Sequence, residues 1–164
     1  MLKGTLLYLA HNDTMRNFVI HNRATRAVSR RFVAGEVVDD AIEATRALNK
    51  ENMHVSLDHL GENVSDAKEA MSAAQDYIAI LDCIKQASVD ANISIKLTAL
   101  GLDISQELCE QNVCRILEPA AHVPIFVRID MEGSAYTEQT VDITLRMHTR
   151  LDYCTHMFKL FMHT

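Results

Sequence analysis

Residues 92–97 read NISIKL and residues 124–130 read PIFVRID, and the alternation inside these two strings decides the fold. In the first, Ile93, Ile95 and Leu97 alternate with Asn92, Ser94 and Lys96. In the second, Ile125, Val127 and Ile129 alternate with Phe126, Arg128 and Asp130. A period of two is that of an extended strand whose faces meet different surroundings. Residues 53–58 repeat the pattern, with Val55 and Leu57 set against His54, Ser56 and Asp58.

Between these strands the period lengthens to that of a helix. Val38, Ala41, Ile42, Thr45 and Leu48 share one face ahead of the first strand. Ser65 reads as the N-cap of a long second helix, with Asp66 and Glu69 in its first turn. Ala67, Ala70, Met71, Ala74, Tyr77 and Ile78 begin its expected buried face. Ser105 caps a third helix carrying Leu108, Val113, Ile116 and Leu117, and Pro119 is expected to end it. A fourth helix starts near Thr137.

Helical crossovers imply parallel strand pairing. A doubly wound sheet is covered on both faces and reads as continuously apolar strands. Here one face is apolar and the other is polar in all three strands. The expected fold is therefore α/β: a partial (β/α)8 barrel of TIM type, roughly its first three to four β/α units, across residues 36–147. Residues 1–35 carry Lys3, Arg16, Arg23, Arg26, Arg30 and Arg31 against Asp13. They read as a basic leader helix lying on the barrel. A transit peptide fits less well, because residues 1–10 lack Ser/Arg-rich character.

Composition narrows the class. The 164 residues are 48% hydrophobic, enough for a substantial core. A net charge of −6 argues against nucleic acid as the main partner. No apolar run approaches the roughly 18–20 residues of a membrane span. Cys83, Cys109, Cys114 and Cys154 lack paired spacing and read as free thiols in a reducing, cytoplasmic compartment.

In (β/α) barrels the reactive groups gather at the carboxyl ends of the strands. Asp58, Lys96 and Asp130 stand there, and the following loops add His59, Gly61, Glu62, Met131, Glu132 and Gly133. A purely structural core would place apolar residues at three consecutive strand ends, so the charges together point to a site. Lys96 needs Asp58 or Asp130 as a partner, since an isolated buried ammonium is costly. His59 reads as a loop hydrogen-bonder rather than a ligand, and no metal site is expected. Two chemistries fit: a Schiff base on Lys96, or Lys96 holding a substrate carboxylate while a cofactor performs a redox step. Spacing leaves both open.

Four strings carry a resemblance. Residues 31–36 read RFVAGE, 56–62 SLDHLGE, 95–103 IKLTALGLD and 127–137 VRIDMEGSAYT. In this order and at these separations they resemble the bacterial monofunctional proline dehydrogenases over roughly residues 28–146. The resemblance implies FAD-dependent oxidation of L-proline to Δ1-pyrroline-5-carboxylate in proline catabolism. Electrons would pass to a membrane quinone, from a cytoplasmic enzyme that associates peripherally with the inner membrane face. By motif, Lys96 would bind the substrate carboxylate and Asp130 would be the carboxylate beside the flavin. Met131 would contact FAD, and Glu62 would form the acidic half of an ion-pair gate. Asp130, one of the two candidate partners of Lys96, would then also set its position. Gly133 departs from the family, whose members usually carry an acid there.

Residues 148–164 do not follow the family's fourth strand, although strand spacing places one near 155–160. His148, His156 and His163 gather there at spacings that fit no compact metal motif. The expectation is a reading-frame shift near residue 147 and the loss of strand four onward. Such a chain would bind FAD poorly, self-associate through open sheet edges and lack appreciable activity. The rival readings are a Schiff-base lyase using Lys96 and a non-catalytic, self-associating fragment.

Overall fold

The computed structural model describes residues 35, 37–61, 64–123, 125–150 and 158–161, the last four and Arg150 by their backbone. The leader, apart from Gly35, lies outside the described residues, as does most of the tail. The chain separates into two compact units, residues 1–41 and 42–164. Within the first, the described backbone is the turn closed by the Asp40 N–H donating to the Val37 carbonyl, 3.1 Å.

Helices and strands alternate: α1 (Val38–Lys50), β1 (Val55–Asp58), α2 (Ala67–Ala87), β2 (Ala91–Ile95) and α3 (Gln106–Ala120). Then follow β3 (Val127–Asp130), a 3-10 turn (Ser134–Tyr136), α4 (Thr137–Arg150) and β4 (Phe158–Phe161). The strands lie in the order β1-β2-β3-β4, every neighbouring pair parallel. Each strand sits beside its predecessor, as in a barrel, whereas a doubly wound sheet reverses direction at a switch point. β4 corrects one expectation. A fourth strand pairs with β3 at the position that the spacing of the first three gives. Ladder hydrogen bonds come from the backbone, so a strand can hold its register where its side chains match no family pattern.

The core lies where the apolar strand face meets the helices. Ile93, Ile95, Leu97, Val127 and Ile129 are fully buried. They pack in one layer with Tyr77, Leu81 and Ile84 of α2 and Val113 and Ile116 of α3, all buried. The α2 face is rotated slightly from the expected stripe: Ala73 and Ile80 are buried and Met71 is exposed. A 3.6-residue period allows adjacent stripes, and contact with both α3 and the sheet selects between them.

The helix ends show two further differences. Asp66, rather than Ser65, caps α2, accepting from the N–H groups of Lys68 and Glu69 at 2.8 and 2.9 Å. Ser65 stands one residue outside, where its N–H and hydroxyl both donate to Glu69. Those bonds favour the ionised carboxyl and hold Glu69 below the usual range. Ser105 caps α3 as its position suggests, accepting from the Leu108 N–H at 3.3 Å. Pro119 lies inside the last turn of α3, which stops one residue later. Its fixed φ suits a helix, but it cannot donate to the ladder and its ring crowds the carbonyl one turn back, so the helix does not run on.

The turn that closes α1 passes through Asn52, in the left-handed region at φ 61°. The Met53 and Asn52 N–H groups reach back to the Leu48 and Asn49 carbonyls, at 3.1 and 3.0 Å, as a Schellman closure does. That turn swings the chain into β1.

Candidate active site

The polar face of the sheet holds the expected charges, and the structure pairs them in an order that the sequence left open. β1 and β2 align Asp58 with Ser94, and β2 and β3 align Ser94 with Arg128. One step further toward the carboxyl ends come Lys96 and Asp130. The Lys96 ammonium lies 3.1 Å from Asp58 Oδ2, with the two side chains 16% and 31% exposed. Such burial makes a carboxylate partner necessary for the cation. Asp130 is held differently: the Ser94 hydroxyl donates to its Oδ1 at 2.7 Å. The Lys96 cation thus meets Asp58, one of the two partners expected for it. Asp58 and Asp130 flank β2 from either side, and Ser94, two residues before Lys96, takes up Asp130.

Met131 follows Asp130 and is half-buried. Glu132 turns back toward the end of β2. Its carboxylate accepts from the Thr98 N–H at 3.0 Å and from the Thr98 hydroxyl at 2.5 Å. Glu62 lies outside the described residues.

Behind the strand ends stands Tyr77 of α2, fully buried, with its ring edge-on to His59 at 5.7 Å. Burial first, then the negative charge of Asp58, pushes its hydroxyl well above the usual phenol range. The N–H groups of His59 and Lys96 oppose that shift without closing an ordinary hydrogen bond to the oxygen. Tyr77 is thus a neutral phenol wedged where β1 and β2 end. His59 Nε2 stands 3.8 Å from Asp76.

The β2–α3 loop is shaped by Gly101. Its φ is +96°, and a Cβ there would meet Leu108 at 3.0 Å and Ala70 at 3.1 Å. Glycine alone combines that backbone with so close an approach of two helices. Cys109 donates from its buried thiol to the Leu97 carbonyl, and burial pushes that thiol up to about 12. It is a packing residue, not a nucleophile. Among the described residues Cys83, Cys109 and Cys114 are free thiols. No group of three or more potential metal ligands occurs among them. No helix there is long and apolar enough to cross a membrane.

Ser94, Thr98 and Glu132 were not singled out from sequence as holding the site together. The signal was present. The β2–β3 register pairs residues 34 apart, and Thr98 and Glu132 keep that same separation.

A parallel sheet in sequential strand order, with charges at the carboxyl ends of consecutive strands, defines an α/β enzyme of barrel type. Comparison with known proteins gives the particular family. The proline dehydrogenase family model matches residues 41–158, and the chain belongs to the bacterial proline dehydrogenase family. It is 35% identical over 143 residues to proline dehydrogenase 1 of Bacillus subtilis subsp. natto, covering 87% of this chain and 47% of the relative. It is 31% identical over 127 residues to the proline dehydrogenase of Deinococcus radiodurans, covering 76% and 40%. The chain therefore spans about half the length of the curated relatives it matches. Its fold is similar to the crystal structure of proline utilization A from Bdellovibrio bacteriovorus inactivated by N-propargylglycine. There the TM-score is 0.75 at 20% identity, covering 83% of this chain and 17% of that one.

Proposed function

We propose that this chain supplies the β1–β4 side of a proline dehydrogenase site, which oxidises L-proline to Δ1-pyrroline-5-carboxylate with FAD. One observation carries the reading: Lys96 and Asp130 end adjacent strands, each held by a different neighbour. Proline is a zwitterion, and one cation beside one carboxylate matches its two charges. Lys96 binds the substrate carboxylate, and Asp58 keeps the ammonium at the strand ends. Asp130, fixed by Ser94, faces the ring nitrogen. The substrate loses a hydride from the carbon next to nitrogen and a proton from nitrogen, leaving a C=N bond.

The donor set suits a flavin. A half-buried thioether, Met131, follows directly on a half-buried carboxylate, Asp130, with Arg128 two residues before it on the same strand. An apolar contact beside polar groups is what an isoalloxazine ring, flat and polar at its edge, requires. Met131 would hold the ring and Asp130 would lie beside it; bound there, FAD supplies the two-electron acceptor for the hydride. Glu62 serves as the acidic half of a gate over the substrate. The electrons leave for a quinone, which implies peripheral association with a membrane. β1 and β4 stand at the sheet edges among the described residues, and pairing of these edges between copies would make the chain self-associate.

Because the chain spans about half of its relatives, the test is a chimera. Residues 41–158 replace the matching segment of the Bacillus subtilis relative. Proline-dependent dye reduction by a yellow chimera supports the reading, and its loss in Lys96→Met places the carboxylate at Lys96. A flavin-loaded chimera that never reduces the dye overturns it. Borohydride trapping of a carbonyl substrate on Lys96 would instead favour the lyase. Sedimentation of the unaltered chain reads self-association.

A further inference from the structure

Neither the polar face nor the flavin reading gives Glu132 a task, yet it makes two of the bonds at the strand ends. The β2–β3 ladder pairs Ile93 with Val127, Ser94 with Arg128 and Ile95 with Ile129, and there the backbone pairing stops. Beyond it the chain of β2 turns. The N–H groups of Leu100, Gly101 and Leu102 bond back to the carbonyls of Leu97, Thr98 and Leu97. The Thr98 N–H takes the Glu132 carboxylate instead. A side chain thus continues the ladder three residues past its last backbone pair, in the same register. Lys96 and Asp130, themselves register neighbours, lie bracketed between Ile95–Ile129 on one side and Thr98–Glu132 on the other. Thr98 is buried and Glu132 half-buried, so the bonds are shielded from competing water.

We infer that Glu132 is a positioning residue: by clasping Thr98 it fixes the distance between the Lys96 and Asp130 strand ends. This inference rests on the roles proposed above for Lys96 and Asp130. Without the clasp, β2 and β3 are free to separate past Ile95 and Ile129, since adjacent strands diverge with the twist of the sheet. The spacing between cation and carboxylate then varies, and a site loose by about an ångström loses much of its affinity.

The test compares the full chain with its Glu132→Ala, Glu132→Gln and Thr98→Val variants. Hydrogen exchange and amide NMR shifts are read first, because they need no ligand. In Glu132→Ala the Thr98 amide exchanges about tenfold faster, as the loss of one charge-assisted hydrogen bond gives. The Lys96 and Asp130 amide resonances shift, while those of α2 and β1 stay in place. Glu132→Gln keeps an acceptor for the N–H and restores most of the protection. Thr98→Val removes the hydroxyl bond alone and gives a smaller shift at the same residues, keeping the test open if Glu132→Ala fails to fold. Binding of L-proline is then measured by calorimetry in the chimera described above, and it weakens about tenfold in Glu132→Ala and less than threefold in Glu132→Gln. Unchanged Lys96 and Asp130 resonances would overturn the inference. So would protection lost evenly across the sheet, which marks a merely structural role. If the chimera with Glu132 intact binds no L-proline, the roles of Lys96 and Asp130 fail on their own, and the exchange data still decide the clasp.

Discussion

The two ends of the sheet use the same kinds of interaction in opposite settings. At the carboxyl end, Lys96 and Asp58 pair with 16% and 31% of their side chains exposed. At the amino end, His54 and Asp90 also pair, but 81% and 61% exposed. Around the first pair, Ser94–Asp130 and Thr98–Glu132 are part-buried. Around the second, Asn49 ties α1 to the chain entering β2, donating to the Met53 and Asp90 carbonyls and accepting from the Asp90 N–H, in the open. Polar groups at the upper end are desolvated, so each demands a defined partner. Those at the lower end keep water as an alternative, so their pairing contributes little. Among the described strand-end pairs, the cost of buried charge is met at the carboxyl end of the sheet, which is where a barrel carries its chemistry.

The largest effect should come from breaking the upper pair. Lys96→Met leaves the Asp58 carboxylate part-buried without its cation and removes the anchor for a substrate carboxylate. In the chimera it should raise KM for L-proline about a hundredfold, from a loss of roughly 2–4 kcal/mol. Steady-state dye reduction reads this, and an unchanged KM would make the upper pair as dispensable as the lower one. Next is Gly101→Ala in the loop above β2. A Cβ at φ +96°, pressed against Leu108 and Ala70, should cost about 2 kcal/mol and lower Tm by roughly 5 °C. Calorimetry of the chain measures it.

At the lower end the effects should shrink. Asn49→Ala removes three exposed hydrogen bonds and should cost about 1 kcal/mol. His54→Gln, which breaks the exposed pair with Asp90, should change stability by less than about 0.5 kcal/mol. Denaturant midpoints distinguish the two. A His54→Gln cost equal to that of Asn49→Ala would undo the contrast in burial.

Much of this contrast was legible in the sequence. The alternation in residues 92–97 and 124–130 separates a core face from a polar face, and Ile93, Ile95, Val127 and Ile129 lie buried on the first. The charges at the strand ends follow from the same period. Their partners do not, because a strand's period says which face a residue takes and nothing about its neighbour on the next strand. Register sets that, and register comes from the ladder and the helices above it. Hence Lys96 meets Asp58, and the Asp130 carboxylate goes to Ser94. Strand spacing marks the place of β4, but its side chains match no family pattern for a related reason: Phe158–Phe161 is held through its backbone, which carries no sequence motif. The N-cap of α2 was off by one, since Ser65 and Asp66 are both good caps and only geometry chooses.

The smallest effect asks whether position or burial governs the contrast. Glu69 begins α2, on the carboxyl side of β1, so it belongs to the site's end of the sheet, yet its bonds to Ser65 are exposed. Those bonds hold its carboxyl below the ordinary value of about 4.5. A folded-state value lower than the unfolded one adds stability above the unfolded pKa, and this is lost as pH falls through the folded value. The entry to α2 should therefore loosen below about pH 4.5, with the Ser65 amide that Glu69 accepts exchanging faster while β2 and β3 hold. Ser65→Ala removes the hydroxyl bond and should move the Glu69 midpoint upward, leaving the Ser94 and Asp130 resonances where they were. If the strand ends shifted together with Glu69, the whole upper end would act as one network and position would govern. If Glu69 titrates by itself, burial separates the bonds that matter to the site from those that merely lie near it.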